Sequence, residues 1–232
     1  MQLFHHPTSA GSRAIRLVLG EYGMEADLHE ERTFERRDAF LAMNPAGTLP
    51  VLVDEQVVIT GAFPAAEYLD ETVGPLNRDR RLYPETAAGR AEMRRIAEWA
   101  LVKLEAEVTR YTVNERITKR LMSAEQGGGA PDSRALRAAR TNIRYHLRYL
   151  GYLAGTRRWL AGDRLSWADL ACAAALSVLD YLGEIDWASA EEGTAELREW
   201  YARIKSRPAF RPLLADRIRS IPPASHYADL DF

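Results

Sequence analysis

Over residues 1–72 the hydrophobic pattern keeps changing its period. MQLFHH shows the two-residue alternation of a short strand. In SRAIRLVLGEYG, Ile15, Val18 and Leu19 recur at helical spacing and Gly23 supplies a stop. ADLHEERT predicts a second strand and DAFLAMN a short helix. PVLVDEQVVIT contains two β-rich runs around Asp54-Glu55, the pattern of a hairpin. ITGAFPAAEYL then passes from strand into a helix over 62–72, with Pro64 in the first turn, where a missing N–H costs nothing. The order β-α-β-α-β-β-α predicts a small α/β unit, residues 1–76, with helices packed on a mixed sheet.

After the polar, proline-containing connection at 77–86, the pattern is helical to residue 218. Met93, Ile96, Ala97, Ala100, Leu101 and Leu104 form an apolar stripe within a long helix over 87–122. SAEQGGGAPDS, with three consecutive glycines, predicts a flexible break. Further helices are expected at 134–154, 166–182, 194–206 and 209–218. Ser166 and Asp169 have capping-box spacing at the start of the apolar run LACAAAL. Pro222-Pro223 keeps the tail, 219–232, out of helix.

Composition narrows the function classes. The chain has 232 residues, 47% hydrophobic and 28% charged, with a formal net charge of −2. That balance gives no general attraction to nucleic acid or an anionic membrane. The single cysteine, Cys172, excludes an internal disulfide and falls in an apolar helix, so a buried inert thiol is expected. MQLFHHPTSAGSR lacks the regions of a signal peptide, and no apolar run is long enough for a membrane span, so a cytoplasmic protein is expected. His5 and His6 alternate to opposite faces of a strand, and no metal site is expected. GGGA at 127–130 lacks the Lys-Ser/Thr of a phosphate loop.

NPAGTLPVLV, AEYLDE, the capped segment GDRLSWADLACAAAL and YARIKSRPAF together resemble the glutathione S-transferase superfamily, in the right order from residue 1 to about 215. The resemblance implies a thioredoxin-like N-terminal domain followed by an all-helical C-terminal domain. It makes Pro50 a cis-proline and gives Leu49 the backbone that would pair with glutathione. Ser9 matches the hydroxyl that would stabilise a glutathione thiolate, with Ser12 a second hydroxyl one turn on. On the residues alone, either serine could instead cap the first helix. The family pattern L-T-E-S-x-A-I then implies an acid for the glutathione ammonium and a serine for its carboxylate. Here those positions are Gly61 and Ala62. The loss removes roughly 2–4 kcal/mol of binding, so glutathione is not an expected cofactor. The helix start remains, and its free N–H groups would suit an anion.

Two surface features lie outside the cleft. Arg134, Arg137, Arg140, Arg144 and Arg148 recur every three or four residues, either as a solvated face or as a dock for an acidic partner. In the tail, Tyr227, Asp229, Leu230, Asp231 and Phe232 suit a segment that docks, on the chain's own body or on a partner. The missing acid and this tail resemble one branch of the superfamily that serves alphaproteobacterial cell division. That resemblance implies a non-enzymatic homodimer at the division site, binding FtsZ polymer without glutathione and using the tail. The candidate partner residues are Tyr227, Asp229, Leu230, Asp231 and Phe232 in the tail and, from the stripe, Arg137, Arg144 and Arg148. The alternative is a glutathione-dependent transferase acting on small electrophiles through Ser9.

Overall fold

The computed structural model describes residues 1–218, 221–230 and 232. Strands β1 (Gln2–His5), β2 (Asp27–Glu30), β3 (Val51–Asp54) and β4 (Val57–Thr60) form one sheet in the order β2-β1-β3-β4. β1 and β2 are parallel and the other two pairings antiparallel. Parallel neighbours need a crossover, supplied by α1 (Ala10–Tyr22). It begins two residues earlier than the apolar period suggests, because Ser9 caps it, and it ends at Gly23 in the left-handed region, φ 69°. Helices α2 (Asp38–Met43) and α3 (Ala62–Thr72) complete this half. The hairpin turns on Glu55-Gln56, one residue beyond the expected place, since Asp54 still pairs with Val57.

The helical half starts with one long rod. It runs through α4 (Ala87–Glu98), α5 (Arg110–Val113) and α6 (Lys119–Leu121). Between these pieces, Trp99–Thr109 and Asn114–Thr118 widen into turns with i to i+5 hydrogen bonds. Then follow α7 (Ser133–Thr156), α8 (Trp167–Tyr181), α9 (Thr194–Lys205) and a short α10 (Arg211–Leu214). Every residue of α8 is buried, which accounts for its small apolar sequence: it packs against α1, α4 and the widened part of the rod at once. Cys172 lies fully enclosed there, and burial pushes its thiol well above the ordinary range. Asp169 reaches back to the Ser166 N–H (3.0 Å) and also takes the Trp200 indole N–H (3.0 Å) and the Leu160 N–H (2.8 Å). The capping residue is thus a hub between three elements.

Two expectations from the pattern are corrected. The glycine run is no loose linker: Gly127, Gly128 and Gly129 donate to the carbonyls of Ala124, Ser123 and Lys119. The last helix ends at Leu214, not at 218, because the chain turns away to other partners. Asp216 is drawn to Arg16 (2.8 Å), and the Ile218 N–H bonds the Tyr181 hydroxyl (3.0 Å). The contact of α7 with α9 also depends on glycine, since a Cβ on Gly151 would sit 2.2 Å from the Gly193 carbonyl oxygen.

Glu105, in the widened rod, has a buried oxygen, Oε2, without a hydrogen-bond partner, and burial raises its carboxyl from 4.5 to about 7. The folded state therefore holds a proton that the unfolded chain has released between those two values. This contribution to stability is complete below pH 4.5 and is lost as pH rises through about 7. Glu105→Gln is expected to flatten that slope and to be more stable than the parent at pH 8, by on the order of 2 kcal/mol. Urea unfolding of both proteins across the pH window measures it.

Candidate functional site

Three segments meet at the cleft: the first turn of α1, the bend before β3 and the start of α3. Their closeness is visible at Gly11, where a Cβ would lie 3.1 Å from Pro50 Cδ, 3.3 Å from Ala62 Cβ and 3.7 Å from the Leu49 carbonyl oxygen. The Leu49–Pro50 peptide is cis. Gly61 N–H donates to the Pro50 carbonyl (2.9 Å), fixing the turn into α3 against the bend. The structure thus brings Ser9, Leu49, Pro50, Gly61 and Ala62 to one place.

Their chemistry is thin. Ser9 Oγ accepts the Ser12 N–H (3.2 Å), the capping role. Ser12 is fully enclosed and its hydroxyl accepts from His6 N–H (3.4 Å), so it faces the interior and not the cleft. Gly61 has φ 91° and ψ 154°, a region that in practice only glycine occupies without strain. A glutamate placed there would cost about 1–3 kcal/mol of strain before it bound anything. Near the cleft, burial lowers the His6 imidazole's affinity for a proton, and its Nδ1 is engaged by the Thr8 hydroxyl (2.7 Å).

The tail is far better built. Ala224 N–H donates to the Tyr181 carbonyl (2.9 Å), and His226 Nε2 lies 2.9 Å from Asp180 Oδ1. Tyr227 is fully buried: its hydroxyl takes Arg13 Nη1–H (2.7 Å) and donates to the Leu213 carbonyl (3.0 Å). Arg13 is itself wholly enclosed and also donates to Ser177 Oγ (3.0 Å) and the Pro7 carbonyl. Phe232 packs edge-on to Trp187 and Tyr201, with the buried Lys205 ammonium 3.9 Å from its ring centre. Lys205 lies 3.6 Å from Asp180, and burial pulls its pKa down. Tyr227 and Phe232, expected to meet a partner, are therefore anchors on the chain's own body. Between them Asp229 and Leu230 are exposed; Asp231 lies outside the described residues.

The arginine stripe on α7 is exposed throughout, but not all of it is free. Arg140 is paired with Glu184 (2.8 Å) and Arg144 with Glu191 (3.6 Å), while Arg148 lies over the Tyr145 ring (5.7 Å). Arg134, Arg137 and Arg148 make no ion pair among the described residues. Among the described residues, no group of His, Cys, Asp and Glu is placed to share a metal ion, and no helix is long and apolar enough to cross a membrane.

Arg13, Asp180 and Lys205 were not marked by the sequence reading. Asp180 is a charged residue set in the mostly apolar run SVLDYL, and that misfit was the available signal; AGSRAI and ARIKS carry none.

Comparison with known proteins agrees with this geometry. The N-terminal domain model of glutathione S-transferases matches residues 3–77 and the C-terminal domain model residues 105–208. The chain belongs to the glutathione S-transferase family. It is 40% identical to FtsZ-localized protein A of Caulobacter vibrioides, over 99% of this chain and 97% of that protein. Among solved structures it is similar to FzlA from C. crescentus, with TM-score 0.89 and 40% identity over 100% of this chain and 99% of that one. It is also similar to a glutathione S-transferase from Sinorhizobium meliloti, with TM-score 0.96 and 58% identity over the same shares.

Tyr227→Phe should leave the buried Arg13 with one acceptor fewer and lower unfolding stability by about 1–3 kcal/mol. Chemical denaturation reads this directly, and an unchanged midpoint would show that the tail does not hold the body.

Proposed function

We propose that the chain is a non-enzymatic regulator of bacterial cell division, acting as a homodimer on FtsZ filaments at the cytoplasmic division site. The reading is carried by the full-length similarity to FtsZ-localized protein A. The cleft supports it: Gly61 and Ala62 offer no side-chain partner to the ends of glutathione, and Gly61 has a backbone that resists one. The tail supports it too, because two anchors hold Asp229 and Leu230 outward in one conformation. A segment ordered before contact loses less entropy on binding than a loose one. Val57, Val58 and Val102, all exposed, supply apolar surface for a second copy. Two copies would convert weak contacts with a polymer into avidity.

A glutathione-dependent transferase working through Ser9 is the second reading. It is favoured by the cis Leu49–Pro50 bend and by the Sinorhizobium meliloti relative, whose name is glutathione S-transferase.

Calorimetric titration with glutathione separates the two. The proposal expects no heat at micromolar glutathione, and a saturating signal there would favour the enzyme. In co-sedimentation the purified chain should pellet with FtsZ polymer. Leu230→Ala should weaken that by roughly fivefold, about 1 kcal/mol, with unchanged unfolding. A chain that stays in the supernatant, or a variant that pellets like the parent, would contradict the assigned surface.

A further inference from the structure

We propose that the solvent face of α7 is a docking surface for an acidic polypeptide segment. At 100° per residue, Arg134, Thr141, Tyr145, Arg148 and Tyr152 fall within an arc of about 60°, and they span about 27 Å of helix. Ile143, His146 and Leu150, which are buried, lie on the opposite side of the helix. Arg137 and Arg144 border the strip.

Solvation alone would not explain what this face carries. Tyr145 is 62% exposed and Tyr152 64%, two large rings presented to water on one helix face. Arg148 stands between them and is held over the Tyr145 ring. Tyrosine and arginine are the side chains that most often dominate binding energy at protein interfaces. The positive charge is also in surplus: Glu184 and Glu191 occupy Arg140 and Arg144, leaving Arg134, Arg137 and Arg148 unpaired among the described residues.

The charge arrangement selects the occupant. An open hollow of about 370 Å³ is lined by Thr141, Arg144, Tyr145, Arg148, Glu191 and Glu192, with Arg144 and Glu191 paired at 3.6 Å. A phosphate backbone, or a sheet of anionic headgroups, presents only negative charge and would be repelled by Glu191 and Glu192. A peptide carries carboxylates for the arginines and backbone N–H groups for the glutamates, and its apolar side chains can lie on the rings. This assignment does not depend on the FtsZ reading, which is tested through the tail.

The test uses the full chain and a fluorescent, unstructured peptide of Asp, Glu and Leu, read by anisotropy. The expected result is saturable binding that weakens as salt rises. Arg148→Glu should weaken it by roughly tenfold, and Tyr145→Ala with Tyr152→Ala by a similar factor. Leu230→Ala should bind like the parent. All these side chains are exposed, so circular dichroism should show each variant folded. Absence of saturable binding, equal binding by Arg148→Glu, or tighter binding of a single-stranded oligonucleotide or of anionic vesicles would overturn the proposal.

Discussion

A guanidinium with no access to water organises this chain. Arg13 projects from α1 into the interior, and burying such a group is costly unless its donors are met. Nε and Nη1 are met by the Pro7 carbonyl before α1, Ser177 on α8 and Tyr227 in the tail, while Nη2 makes no hydrogen bond among the described residues and faces the Asp216 carboxylate at 3.4 Å beyond α10. Loss of any one of these segments would take a further partner from a buried charge. Asp180 works the same way from the other side, gathering Trp187, Tyr201, His226 and Lys205. The sheet half, the helical half and the tail are therefore fixed to one another by polar groups buried in the core.

This constraint bears on where function can reside. The last residues are not an appendage that waits for a partner; they close the core. What remains free is the short outward stretch at Asp229 and Leu230, held between its anchors. The cleft, by contrast, has its cis bend at Leu49–Pro50, while Gly61 and Ala62 at the start of α3 bring no polar side chain. Gly61 takes up a conformation that a side chain would strain. The cis bend and the α3 start also support the fold, since Gly61 N–H bonds the Pro50 carbonyl.

Much of the architecture was legible because helices and strands declare themselves over a few residues. The α1 stripe, the α3 limits and the largely apolar α8 follow from local spacing. The three segments that meet at the cis bend could be placed by motif. The buried polar network was not legible, since Arg13 meets Ser177 and Tyr227 across separations of 164 and 214 residues. The same distance hid which tail residues face inward: aromatic side chains in a terminal segment suit either an anchor or a contact, and only packing decides. Ser12 misled for a related reason, as a hydroxyl near a cleft can point into the core.

Amide hydrogen exchange of the full chain, alone and with FtsZ polymer, tests the central claim most directly. The account predicts slow exchange at Ala224 and Tyr227 in both states, new protection around Leu230 on binding, and no change at Ser9, Leu49, Gly61 or Ala62. Tail amides exchanging freely in the unbound chain, or new protection confined to the cleft, would contradict it.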